Sequence, residues 1–116
     1  MAGELMVDLY ACDRDIVDDL PKIQEIAHQI IKEIHAEIVE ECFHKFEPIG
    51  ITYIAVITTS HFSIHTWPEY GYVAVDIFSC DEEVPDLIAE KLKLSLGAKN
   101  FVVHKFERDI EGGTME

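Results

Sequence analysis

The chain has 116 residues, nearly half of them hydrophobic, with 9 Lys+Arg set against 23 Asp+Glu for a formal charge of −14. That length holds one domain around a single modest core. So acidic a surface argues against a nucleic-acid backbone or an anionic membrane as partner, and it tolerates a cationic small substrate.

The first eight residues carry neither a basic region nor a long apolar run, so no signal peptide is expected. No apolar stretch is long enough to span a bilayer. Leu5, Val7, Leu9 and Ala11 alternate as in a first strand. The period then changes. Ile16, Leu20, Ile23, Ala27, Ile30 and Ile34 step by four and three, which predicts a helix over 20–35 behind an acidic turn. Pro21 suits its first turn, and Asp18 and Asp19 favour the positive end of its dipole. Strands are predicted over 37–46, 51–59, 61–66 and 72–79, the first two parted by Pro48-Ile49-Gly50. A second helix over 85–96 is stopped by Gly97, a last strand covers 99–107, and 108–116 reads as a disordered tail.

The order β-α-β-β-β-β-α-β predicts an α+β fold, a two-layer sandwich in which two helices cover one face of a mainly antiparallel sheet. Strand 51–59 is apolar on both faces, so the second face calls for a partner subunit. Cys12, Cys42 and Cys80 form no C-x-x-C pair and cannot all be bridged, which points to a reducing cytoplasm.

Between the strand-like runs lie Ser60, His61, His65, Glu69 and Cys80, polar groups that each need a partner or a task. His61, Ser63 and His65 share one strand face, with Phe62 and Ile64 on the other. His44, His61, His65 and Cys80 are metal-ligand types, but they lack the tight loop spacing of structural zinc sites. Residues four apart on a strand are also too distant for one ion, so no metal is expected. No G-x-S-x-G elbow surrounds Ser60 or Ser63. Taken singly, these residues read as satisfied sheet positions.

Together they resemble something specific. Ser60-His61-Phe62-Ser63-Ile64-His65-Thr66-Trp67-Pro68-Glu69-Tyr70-Gly71-Tyr72, followed by Asp76 and Cys80, is similar to the signature of the short prokaryotic S-adenosylmethionine decarboxylases, which are made as proenzymes. The resemblance extends from Leu5–Cys12 through Phe43-His44-Lys45-Phe46 to the last strand. It implies self-cleavage between Thr59 and Ser60. The Ser60 hydroxyl attacks the Thr59 carbonyl, a base matching His65 removes the serine α-proton, and a pyruvoyl cofactor derived from Ser60 is left on the new N-terminus. The resemblance further implies that S-adenosylmethionine condenses with that ketone as a Schiff base and loses carbon dioxide for spermidine synthesis. Cys80 matches the proton donor, Phe46 an adenine-stacking aromatic and Glu69 a ribose-binding carboxylate, while Trp67 is a second stacking candidate. The family is a homodimer of αβ protomers whose active sites are shared between subunits.

Two positions depart from the family. Thr59 stands where a glutamate is usual, and Thr52 stands where a serine commonly helps the acyl shift, keeping the hydroxyl. Two other readings follow: a pyruvoyl-dependent arginine or ornithine decarboxylase, which Phe46 and Glu69 argue against, and a binding homologue that never cleaves.

Overall fold

Alternating side chains build most of the molecule. The computed structural model describes residues 2–80 and 84–112. Strands β1 (Ala2–Tyr10), β2 (Ile38–Lys45), β3 (Ile51–Ile57), β4 (Ser60–Trp67), β5 (Tyr72–Ser79) and β6 (Asn100–Arg108) form one six-stranded sheet in the order β2-β3-β4-β5-β1-β6. Every neighbouring pair is antiparallel. Helices α1 (Arg14–Val17), α2 (Leu20–Glu33) and α3 (Leu87–Leu96) complete the α+β architecture that the pattern predicts.

The differences are local and have physical causes. The predicted acidic turn is the single-turn helix α1, capped by Asp13, whose Oδ1 accepts the Asp15 N–H at 2.9 Å. Asp19 caps α2 by accepting the Lys22 N–H at 3.2 Å, with Pro21 in the first turn as expected. The helix stops short of His35, which sits at φ 61° and turns the chain out of the helix. Strand 51–59 stops at Ile57 because Thr58 is drawn into a turn. Its N–H donates to Glu37 O at 2.9 Å, and its Oγ1 accepts the Glu37 N–H at 3.0 Å.

Ile23, Ala27, Ile30 and Ile31 of α2 and Ile88, Leu92 and Leu96 of α3 are buried against Val7, Leu9, Tyr53, Phe62, Ile64, Val75 and Ile77 of the sheet. Each buried Val, Leu, Ile or Phe among them contributes about 1.5–3 kcal/mol, so this layer holds the fold together. Among the described residues the other sheet face has no such cover. On it Ile54, Val56, Trp67, Val102 and Phe106 remain 40 to 55 % exposed. Among the described residues no helix is long and apolar enough to cross a membrane. Residues 113–116 of the predicted tail lie outside the described residues.

Candidate functional site

The sequence-predicted residues fall into two groups, one at each end of β4. At its start, Thr58 and Thr59 make the turn from β3, and Ser60 adopts φ 147°. That is a region side chains other than glycine avoid, and occupying it costs of order 1–3 kcal/mol. The carbonyl immediately before it is held. Thr59 O accepts the backbone N–H of Cys80 at 2.7 Å, while Ser60 lies in register with Ser79 of β5. Thr59 is buried and its Oγ1 has no hydrogen-bond partner among the described residues, an arrangement that costs about 1–3 kcal/mol. The fold therefore gathers Thr59, Ser60 and Cys80 around one strained peptide, with Cys80 an exposed free thiol. Cys12 is the opposite case. It is buried, and desolvation pushes its thiol up to about 11, which suits packing rather than chemistry.

At the far end, Thr52 of β3 lies opposite His65 of β4, and its Oγ1 is 3.0 Å from His65 Nδ1. A hydroxyl in that place fixes the imidazole ring through Nδ1 and leaves Nε2 as the ring nitrogen available to a further partner. Phe46, Thr52, His65, Trp67 and Glu69 line one cavity of about 330 Å³. Phe46 and Trp67 are 47 % and 40 % exposed, so flat aromatic faces are open to a planar ligand. Trp67 lies 6.3 Å from the His65 ring and 5.3 Å from Tyr72, centroid to centroid. The Tyr72 hydroxyl donates to Asp8 Oδ1 at 2.5 Å, and burial together with that carboxylate pushes its pKa well up, so it stays a phenol. Glu69 sits exposed in the 3-10 turn Pro68–Tyr70 that follows the strand.

One chain does not bring the two groups together. Ser60 and His65 are five residues apart on a single strand, which at the strand rise is about 16 Å. An odd spacing also sets side chains on opposite faces. His65 therefore does not reach the Ser60 α-carbon of its own chain. Sequence reasoning missed the Cys80 N–H on the Thr59 carbonyl, which only the β4–β5 register reveals. It also missed Arg14, Asp18 and Lys45, which tie the turns carrying Glu69 and Phe46 to α1. Among the described residues, no group of three or more His, Cys, Asp or Glu side chains is placed to hold a metal ion.

A family model described as S-adenosylmethionine decarboxylase matches residues 3–109. An S-adenosylmethionine decarboxylase proenzyme of Thermotoga maritima is 44 % identical over 109 residues, covering 93 % of this chain and 84 % of that protein. Its counterpart from Pseudomonas aeruginosa is 37 % identical over 113 residues, covering 97 % and 71 %. The crystal structure of the adenosylmethionine decarboxylase from Aquifex aeolicus superposes with a TM-score of 0.85 at 29 % identity, over 95 % of this chain and 92 % of that one.

Proposed function

This chain belongs to the S-adenosylmethionine decarboxylase family, and we propose that it is a self-cleaving member whose active sites form between two copies of the chain. The observation that carries the reading is the Thr59–Ser60 peptide, with φ 147° at Ser60 and the Thr59 carbonyl already held by the Cys80 N–H. Attack by Ser60 Oγ on that carbonyl places negative charge on the Thr59 oxygen, where a fixed donor stabilises it. The Thr59–Ser60 C–N bond then breaks, the proton passes to nitrogen, and the link becomes an ester. Relief of the backbone strain favours this direction.

The next step needs a base at the Ser60 α-carbon. We assign it to the partner's His65, oriented by the partner's Thr52. If two sheets stack by their open faces about a two-fold axis with their ends exchanged, each strained turn meets the far end of the other β4. The same stacking covers Ile54, Val56 and their exposed neighbours, which are costly to leave in water. Removal of the α-proton expels the Thr59 carboxylate, and hydrolysis of the dehydroalanine releases ammonia and leaves a pyruvoyl group at position 60. When formed, that group supplies the electron sink for loss of carbon dioxide from an amino acid. Cys80 Sγ then holds the proton returned to the substrate α-carbon. Phe46 and Trp67 take the adenine and sulfonium, and Glu69 takes the ribose hydroxyls. On this reading the product enters spermidine synthesis in the cytoplasm, where free cysteines persist.

Intact-mass spectrometry of the purified chain tests the proposal. Two species, 1–59 and 60–116, with the second lighter than its serine form by one ammonia, are expected. Thr59, with its unpartnered hydroxyl where the family usually has glutamate, is the observation that favours a non-cleaving homologue instead. A single chain that persists through long incubation would establish that second reading.

A further inference from the structure

The two turns that wall the substrate cavity are distant in sequence, yet both are fastened to the same short segment. Asp18 Oδ1 accepts the Gly50 N–H at 2.9 Å and lies 3.1 Å from Lys45 Nζ. That ammonium donates to Phe46 O at 3.1 Å, and the Phe46 N–H closes the turn on Gly50 O at 2.8 Å. Every bond of this set bears on the turn that carries Phe46. On the other side, the Arg14 guanidinium donates to Glu69 O at 3.2 Å and the Cys12 N–H donates to Gly71 O at 2.9 Å. Gly71 sits at φ 63°, and a Cβ there would come within 3.4 to 3.5 Å of the backbone of Ala11 and Cys12, so the two segments run close. Desolvation pushes the Asp18 carboxyl up, but the Gly50 N–H and Lys45 outweigh it and hold the group below the usual carboxylate range.

Between the arms, Arg14, Asp18, Lys45, Ile49 and Glu69 border an open hollow of about 850 Å³, which shares Ile49 and Glu69 with the smaller cavity. The β3–β4 ladder, with Ile51 opposite Thr66, sets the two turns side by side, and beyond the strand ends the polar ties to α1 hold them across the hollow. We propose that α1 with Asp18 is a brace that fixes the distance between Phe46 and Glu69, making Asp18 a positioning residue for the nucleoside end of the substrate. The inference rests on the reading of those two residues as substrate contacts.

Trp67 is the only tryptophan of the chain and lies in the cavity, so its fluorescence reports occupancy directly. The full-length processed protein is titrated with S-adenosylmethionine and with methylthioadenosine, which has no amino acid to react. Steady-state decarboxylation and the extent of self-cleavage are measured beside it. Asp18→Ala is expected to raise Kd and KM about tenfold, with kcat and self-cleavage within about twofold. Asp18→Asn keeps an acceptor for the Gly50 N–H and is expected to recover most of that loss. Glu33→Ala is the control, since it breaks the 2.9 Å Lys91–Glu33 pair between α2 and α3, away from the cavity. The brace is overturned if Asp18→Ala and Glu33→Ala change Kd alike, if Asp18→Asn fails to rescue, or if Asp18→Ala slows cleavage as much as it weakens binding. A wild-type protein that binds methylthioadenosine in an Asp18-dependent way without decarboxylating anything keeps the brace and discards the decarboxylase. One that binds no adenine nucleoside at all discards both.

Discussion

At one end of β4 the chemistry rests on the backbone, and at the other on side chains. The start of the strand offers a left-handed serine and a main-chain N–H aimed at a main-chain carbonyl. The end of the strand offers an oriented imidazole, two exposed aromatics and a carboxylate around a hollow. On the proposed reading, one chain holds the reactive peptide and another the base for elimination, so a single chain is expected to stay intact until a second copy pairs with it. On that proposal, pairing of two chains is the event that brings the base to the ester.

The largest expected effect breaks that comparison at both ends in turn. Ser60→Ala leaves one uncleaved chain with no activity, and His65→Ala does the same, because each removes an obligatory group. Co-expressed with distinguishable tags, the two variants should rescue each other in one direction only. The Ser60→Ala chain supplies His65, so the His65→Ala chain is cleaved and its partner is not. Mass spectrometry of the separated chains reads this out, and an absence of cleavage in the mixed sample would return His65 to its own chain and remove the reason for the split.

A smaller effect sharpens the account of the strained end alone. Two atoms of Cys80 are given separate work there, the backbone nitrogen in processing and Sγ in decarboxylation. Cys80→Ala keeps the first and loses the second. Self-cleavage is expected to proceed at nearly the wild-type rate, while turnover of S-adenosylmethionine falls by roughly 10²–10⁴, the range for loss of a positioned acid. Loss of cleavage in step with turnover would show that the thiol, not the N–H, assists the first reaction.

How much of this was legible differs between the two ends. α2 follows from its steps of four and three, and the strands and the open sheet face from alternation, since Val73, Val75 and Ile77 can only face the core if Ala74, Asp76 and Phe78 do not. The thirteen-residue signature located Ser60, His65 and Glu69 by resemblance. Its spacing also held a clue that went unused. The strand rise that forbids one metal between His61 and His65 equally forbids His65 from reaching Ser60 of its own chain. The conformation of Ser60 had no sequence signal, because nothing in Thr58-Thr59-Ser60 demands a positive φ. The brace was invisible for another reason. Asp18 to Gly50 spans 32 residues and Arg14 to Glu69 spans 55, and the acidic turn read equally well as a helix cap.

The smallest effect concerns acid, and it separates the ends by what can titrate. The contact from the Cys80 N–H to Thr59 O involves no ionisable group. The contact from Asp18 to Gly50 and Lys45 does, and its carboxyl is held below the usual range despite desolvation. A carboxyl depressed on folding adds stability that is fully present above its unfolded value, about 3.9, and is lost as pH falls through the folded value beneath it. The melting-temperature gap between wild type and Asp18→Ala should therefore be flat from about pH 8 to pH 5 and close only below about pH 4. Its size is modest, because the Lys45–Asp18 pair is 30 % and 27 % exposed and the aqueous part of the pair is screened. A loss of about 1 kcal/mol, or about 4 °C in a domain of this length, is expected from calorimetric melts. A gap that closed already between pH 7 and pH 5 would mean that folding does not hold the Asp18 carboxyl below its usual range, and would overturn its ties to Gly50 and Lys45 as the source of the effect.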